Sequence, residues 1–300
     1  MSITAGRSSA GGVTRSGSAT TDNLLLNYNV VITNAPVNMG VGGIETVGSG
    51  NVLAATNNTY SYLNAGWGTV LRTDVAGALC PSGTLEMGGR SSPSSSSTDG
   101  TVNLNGFSQT VGGLLTPAGS MGTNAQNRII TSAAAATLTV NQSANSTYDG
   151  RLTGALSLTK TGAGTLTLSG TNNTCTGVMT VSAGTLKISA NKALSSGGSV
   201  ALAGGTLDVS SCTNAAVSLS LTANSTLALG ASGQVAFTAQ TAGAWSGQLT
   251  LTGTLGLTSL RFQPALTADQ LSRIRYDGKA VIQNSNGYIR LITGTMIRVM

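Results

Sequence analysis

A short phrase, Thr-Leu-x-(Leu, Ile or Val), constrains the fold more than any other feature of this sequence. It begins at Thr165, Thr185, Thr206 and Thr226, so successive copies are 20 or 21 residues apart. Within each copy the aliphatic side chains alternate with Thr, Lys or Asp, which is the period of a β-strand with one buried face. A fixed spacing of this length indicates a repeat architecture in which each copy belongs to one coil of a stack.

Related phrases extend this pattern along most of the chain. They are TLEM from Thr84, TVNL from Thr101, TLTV from Thr137 and LTLTG from Leu249. A second strand is predicted in each coil, as in MTVSAG, SVALAGG and VSLSLTA. The pattern predicts an all-β fold, a single-stranded parallel β-helix (β-solenoid) of roughly 13 coils of ~20 residues. An antiparallel β-sandwich is the alternative.

The composition agrees with a solenoid. Of 300 residues, 41 are Gly, only 8% are charged and 4% aromatic, while 40% are hydrophobic, which is enough to form a continuous core. No stretch reaches ~20 unbroken apolar residues, so no transmembrane helix is expected. The N-terminus lacks the apolar core of a signal peptide. We therefore expect either a cytosolic protein or a secreted one without its leading segment, and the repeats favour the second.

Three regions are predicted. Residues 1–22 form a frayed N-terminal segment, residues 23–262 form the solenoid with a Ser-rich loop at 90–100, and residues 263–300 form a C-terminal cap. In the cap, Thr267 and Gln270 have capping-box spacing and Leu266 with Leu271 forms a hydrophobic staple, which predicts a short helix ending near Arg275. AVIQNS and YIRLI flank Asn286-Gly287, which predicts a hairpin with a two-residue turn.

The charged and metal-binding residue types exclude several functions. The chain has no His, so histidine-dependent catalysis and most transition-metal sites are excluded. Cys80, Cys175 and Cys212 are far apart and indicate neither a disulfide framework nor a zinc site. No catalytic, cofactor-binding or metal-binding residue is assigned, and no cofactor is expected.

The net charge of +6 is spread thinly, and we predict no nucleic-acid partner. The C-terminal region is the exception, because six basic residues there outnumber Asp269 and Asp277. This region is either an ordinary solvated basic end or a polyanion-binding patch. The six residues are Arg261, Arg273, Arg275, Lys279, Arg290 and Arg298.

The segment GALSLTKTGAGTLTLSGTNNTCTGVMTVSAGTLKIS, from Gly154 to Ser189, resembles the autotransporter-associated β-strand repeat of bacterial surface proteins. Flanking segments extend the resemblance over residues 68–291. It implies a right-handed β-helical passenger at the cell surface or outside the cell, with extracellular polysaccharide or other surface proteins as candidate partners and with no catalytic residues. Two features depart from the family: Cys175 replaces the usual aromatic residue, and we expect no translocator barrel after the cap.

The first functional hypothesis is a non-catalytic structural or adhesive scaffold. The second is a carbohydrate-active β-helix enzyme, for which acids must cluster on neighbouring coils. Asp74, Glu86 and Asp99 are the only candidate trio, with a basic partner at Arg72 or Arg90, and we expect all of them to be ordinary solvated side chains. The third is a truncated passenger fragment without independent function.

Several asparagines could accept glycans in a secreted chain, but we expect the Asn-x-Ser/Thr triplets to have arisen by chance. Asn172 and Asn173 are instead expected to form a corner or an asparagine ladder along the stack. The triplets include those at Asn141, Asn145, Asn172 and Asn224.

Overall fold

A computed structural model describes most of the chain. The described residues are 2–5, 12–16, 23–27, 29–33, 37–39, 42–66, 68–89, 100–119, 125–191, 193–194, 197–231 and 233–291. The Ser-rich loop, except for Gly100, therefore lies outside the described residues, as does most of the segment 1–22. The predicted division into three regions stays a prediction.

The structure is about 54% strand, and most of the strands are short. Those of the first half are β1 (Ser2–Ala5), β2 (Gly12–Ser16), β3 (Asn23–Asn27), β4 (Val30–Thr33), β5 (Gly43–Val47), β6 (Asn51–Ala54), β7 (Tyr62–Ala65), β8 (Thr69–Thr73), β9 (Thr84–Met87), β10 (Gly100–Asn103), β11 (Gln109–Val111), β12 (Gly113–Leu115), β13 (Arg128–Asn141) and β14 (Ser146–Tyr148). A short 3-10 helix, Ala125–Asn127, precedes β13.

The second half continues in the same way and contains one short α-helix. Its elements are β15 (Arg151–Thr161), β16 (Thr165–Leu168), β17 (Val178–Val181), β18 (Thr185–Ile188), β19 (Ser199–Leu202), β20 (Thr206–Asp208), β21 (Thr213–Leu221), β22 (Ser225–Leu229), β23 (Gln234–Trp245), β24 (Leu249–Gly253), β25 (Leu260–Phe262), α1 (Ala268–Ser272), β26 (Ile274–Tyr276), β27 (Lys279–Gln283) and β28 (Ile289–Leu291).

These strands form three sheets. Sheet A runs β1-β4-β6-β8-β10-β13-β15-β17-β19-β21-β23-β25, with β11 also paired to β13; sheet B runs β12-β9-β7-β5-β3-β2; and sheet C runs β14-β16-β18-β20-β22-β24-β26-β27-β28. The chain passes between sheet A and sheet B in the first half, and between sheet A and sheet C in the second. From β3 to β26 the neighbouring strands pair in parallel, which confirms the β-solenoid and excludes the sandwich.

The four phrases that define the repeat lie side by side in sheet C. Thr165 pairs with Thr185, Thr185 with Thr206, and Thr206 with Thr226, each in parallel register. Leu166, Leu186, Leu207 and Leu227 are all fully buried, while the threonines beside them are half-buried. The earlier phrases do not share this sheet, because TLEM lies in sheet B, and TVNL and TLTV lie in sheet A.

The stack has about 10 turns rather than the roughly 13 predicted. The reason is that several coils are longer than ~20 residues. Gly100 pairs with Thr69 on one side and with Arg128 on the other, so these coils exceed the spacing of the sequence phrases. At ~4.8 Å per turn, the stack is roughly 50 Å long.

Both ends of the stack carry antiparallel strands. At the N-terminal end, β1 pairs with β4 and β2 pairs with β3, both antiparallel. At the C-terminal end, β26, β27 and β28 form an antiparallel meander beside α1. Antiparallel elements at the ends change the strand direction presented to solvent, which discourages further parallel pairing.

The C-terminal helix and hairpin are confirmed, although their details differ from the prediction. The capping box is present, since the Thr267 side chain accepts from the Gln270 N–H and the Gln270 side chain accepts from the Thr267 N–H. The helix ends at Ser272 rather than near Arg275. The predicted two-residue turn at Asn286-Gly287 is wrong, because the last pair of the hairpin is Gln283 with Ile289.

Candidate functional site

Two acids of the candidate trio, Asp74 and Glu86, lie on different sheets. Asp74 follows β8 in sheet A, and its carboxylate accepts from Arg72 at 2.6 and 2.7 Å and from Asn105 at 3.0 Å. Glu86 lies in β9, in sheet B, and is buried. Asp99 and Arg90 lie outside the described residues. Within the described ranges no group of three or more His, Cys, Asp or Glu side chains could hold a metal ion.

Glu86 instead belongs to a polar column that the sequence reading missed. Glu45, Asn64 and Glu86 are register partners on three successive strands of sheet B. Tyr62 donates to Glu45 at 3.4 Å, and the Asn64 amide donates to Glu86 at 3.4 Å. These carboxylates are engaged by neighbouring coils, so the column stabilises the stack. Strand alternation places all three on the face opposite the buried Ile44, Leu63 and Leu85, where polar side chains are normally expected to be solvated.

A buried ion pair marks the junction of sheets B and C. Arg128 donates to Asp149 at 2.6 Å, and Thr116 donates to the other carboxylate oxygen at 2.6 Å. The Tyr148 hydroxyl donates to the Arg128 carbonyl, and burial raises the pKa of Tyr148 well above its ordinary value. Such a pair fixes the junction, because removing one partner would leave the other charge buried.

A surface groove of about 590 Å³ lies beside Cys80. Burial opposes ionisation of this thiol, yet hydrogen bonds from Ser82 and nearby backbone groups outweigh it, so the pKa of Cys80 is lowered. The rest of the lining is neutral, consisting of Asn57, Asn58, Thr59, Pro81, Ser82, Gly112, Asn141 and Ser143. The groove therefore holds no general base to pair with the thiol. All three cysteines are buried and form no disulfide.

Side-chain amides at the corners join successive coils. Asn173 is buried; its Oδ1 accepts from the Leu152 N–H at 2.7 Å and its Nδ2 donates to the Ala193 carbonyl at 2.5 Å. Asn58 makes the same pair of contacts, to Val37 and Ala78. Asn172, by contrast, is an exposed corner residue with φ of 60°. The expected corner is present, and Asn173 joins successive coils through their backbone groups rather than through a ladder of asparagine side chains.

In two of the Asn-x-Ser/Thr triplets, the asparagine forms a hydrogen bond with a neighbouring coil. Asn145 accepts from the Thr165 N–H and Asn224 accepts from the Gln248 N–H, each at 2.9 Å. Both bonds reach the following coil. These amides therefore serve the stack in the described structure, and glycosylation of any of the four asparagines stays untested.

Lys160 occupies an interior position of sheet A, in register with Val140 and Val181. Its side chain is buried, and its Nζ donates to the carbonyls of Thr161 and Gly162 at 2.6 and 2.8 Å. Desolvation lowers the pKa of Lys160. The ammonium group thus satisfies carbonyls at a coil corner and does not face an acid or a ligand.

The C-terminal cap gathers basic side chains. The guanidinium groups of Arg261 and Arg290 lie 5.3 and 5.4 Å from the centre of the Tyr288 ring. Arg273 differs from these two, because it forms an ion pair with Asp269 at 3.0 Å on the same helical segment. In the basic end predicted from the sequence, the charge of Arg273 is therefore neutralised by Asp269, whereas Arg261 and Arg290 contact an aromatic ring.

The parallel stack of coils defines a class, the parallel β-solenoid repeat proteins, in which binding surfaces arise from stacked coils. Comparison with known families is consistent with this class. Residues 158–188, which include Lys160 and two of the four phrases, match the family described as passenger-associated-transport-repeat. The repeat and the solenoid fit an autotransporter-associated repeat protein, as the resemblance implied.

No curated protein and no solved structure gives a significant match to the chain. Within the described residues, no helix has the length and apolar character needed to cross a membrane.

Proposed function

We propose that this protein is a non-catalytic structural or adhesive scaffold, presented at the bacterial surface or outside the cell. The observation that supports this best is the continuous parallel register of the four Thr-Leu phrases within a stack of about 10 turns, part of which matches a passenger repeat. A stack of this kind offers length and a regular surface without a catalytic centre.

The chemistry of the described side chains supports a non-catalytic role. Of the three candidate acids for polysaccharide cleavage, Asp74 and Glu86 lie on different sheets and Asp99 lies outside the described residues. The carboxylates of Asp74 and Asp149 are each held by an arginine. A glycoside hydrolase needs two carboxyl groups facing one bond, about 5 to 9.5 Å apart.

A paired assay tests this proposal. The full chain is applied to an array of bacterial and host glycans, and in parallel it is incubated with soluble polysaccharides while reducing ends and unsaturated uronate products are measured. A scaffold gives no product above the buffer control, whether or not a glycan is bound. Turnover of any polymer that tracks with the purified protein would overturn the proposal.

A further inference from the structure

Two arginines beside the cap each contact one aromatic ring and the backbone. Arg261, in the last strand of sheet A, forms an isolated bridge with Tyr288 and donates through Nε to the Asn286 carbonyl at 3.0 Å. Arg290, in β28, donates to the Ile289 carbonyl at 3.2 Å. Both guanidinium groups also contact the Tyr288 ring. Arg261 therefore lies across from Tyr288 on the neighbouring strand, and Arg290 lies two residues after Tyr288, so both charges are beside the same ring.

These charges have no acidic partner within the described part of the chain. Described residues 260–291 contain five basic side chains and only two acids, Asp269 and Asp277. Asp269 is already paired with Arg273. An anion bound beside either guanidinium group would form charge-assisted hydrogen bonds with it.

One exposed apolar side chain lies beside Arg290. Ile282 is the register partner of Arg290, and it is 44% exposed. A ligand that combines an anionic group with an apolar ring face would therefore contact both kinds of side chain. Sulfated and carboxylated sugars have this combination, and the planar guanidinium binds sulfate and carboxylate with two parallel hydrogen bonds.

We propose that the cap patch, defined as Arg261, Ile282, Tyr288 and Arg290, binds the anionic groups of an acidic polysaccharide. This inference rests on the proposed scaffold function and names the class of its partner. A polysaccharide is favoured over a nucleic acid, because non-specific nucleic-acid binding uses exposed aromatic rings on which bases stack. In the cap patch, the guanidinium groups of Arg261 and Arg290 already occupy the Tyr288 ring.

The test measures binding of the full chain to heparin at low ionic strength by titration calorimetry, with neutral dextran alongside. The double variant Arg261→Gln/Arg290→Gln should weaken heparin binding at least ten-fold and lower its salt dependence. The matched control is Lys279→Gln, which removes one charge from the same cap at an exposed position outside the patch. It should change affinity less than two-fold. Circular dichroism and thermal melting verify that both variants are folded.

Three results would overturn the inference: no heparin binding by the wild type, equal losses per charge removed in the double variant and in Lys279→Gln, or tighter binding to single-stranded DNA of similar charge. The last would assign the patch to nucleic acid. These failures are distinguishable from failure of the scaffold proposal, which only turnover of a polymer overturns. If the double variant melts early, the single variant Arg290→Gln is measured and should weaken binding at least three-fold.

Discussion

Asn173 shows how one buried side chain connects three coils. Its amide bonds one coil through the Leu152 N–H and another through the Ala193 carbonyl. Because both backbone groups are buried at the corner, losing the amide leaves them without partners. We expect Asn173→Ala to lower the free energy of unfolding by about 2–4 kcal/mol.

The neighbouring Asn172 is the matched control for that substitution. It is exposed and has positive φ, so Asn172→Gly should change stability by less than about 0.5 kcal/mol. Chemical denaturation of the two variants measures both effects. Equal costs at the two positions would mean that the hydrogen bonds of the Asn173 amide do not contribute to stability.

Cys175 gives a prediction about alkaline pH. Burial raises the pKa of this thiol from 9.0 to about 11. The folded state therefore favours the neutral thiol, so its contribution is complete below pH 9 and is lost as the pH rises to 11. The stability difference between wild type and Cys175→Ala should narrow by roughly 2–3 kcal/mol across that window. A constant difference, measured by denaturation at pH 8 to 11, would contradict the burial of Cys175.

At the scale of elements, the corners limit which residues can occupy the stack. Gly184 has φ of 61°, and a Cβ there would collide with the Gly162 carbonyl of the preceding coil. Gly77 also has positive φ, of 71°, but a Cβ there would meet nothing within 4 Å. Comparing the two glycines therefore separates the free-energy cost of positive φ from the cost of a steric clash with the neighbouring coil.

We therefore predict different costs for alanine at these two glycines. Gly77→Ala should cost about 1 kcal/mol from backbone conformation alone. Gly184→Ala should cost about 1–3 kcal/mol more, because a backbone carbonyl must also move. Thermal and urea unfolding of both variants provide the comparison. If Gly77→Ala were as destabilising as Gly184→Ala, close packing of coils at this corner would be refuted.

The cap shows what local sequence can and cannot predict. The capping box at Thr267 and Gln270 was predictable, because it depends on two side chains and the adjacent backbone. The two-residue hairpin turn predicted at Asn286-Gly287 occurs instead at Asp277-Gly278. This turn joins Tyr276 to Lys279, and its residues have φ of 50° and 71°. Asp-Gly is a preferred pair for such a turn, but the expected helix through Arg275 obscured it.

The other hairpin differs because of a neighbouring side chain. Asn284 accepts from the N–H groups of Asn286 and Tyr288, at 3.1 and 2.9 Å. Gly287 has positive φ but Asn286 does not, whereas the predicted type I′ turn requires it at both. The sequence pair Asn-Gly alone therefore could not determine the length of this loop.

At the scale of the whole molecule, the periodic part was predictable and the irregular part was not. Leu166, Leu186, Leu207 and Leu227 recur at a nearly constant spacing, so their stacking followed from the sequence. The number of turns could not be predicted, because the long connection between the coils of Gly100 and Arg128 has no repeat phrase that reveals its length. The Glu45–Asn64–Glu86 column could not be predicted either, since outward polar residues are normally expected to be solvated.

The parallel stack is also the basis of the proposed function, since it creates both an extended surface and an end at which the cap patch lies. An outward column in sheet C follows the stack, in which Thr147, Thr167, Lys187, Asp208, Ala228 and Thr252 are successive register partners. Positions in this column report directly how far one coil lies from another.

The most direct test is a set of spin-label distances along that column, measured by double electron–electron resonance on the full chain. Labels are placed at Thr147 with Ala228, and at Thr147 with Thr252, four and five coils apart. Unsubstituted protein, whose cysteines are buried, controls for background labelling. We expect narrow distributions of the distance between labels, centred near ~19 Å for the first pair and ~24 Å for the second, a step of ~4.8 Å per coil. Distances that do not increase with the number of coils would contradict the parallel stack.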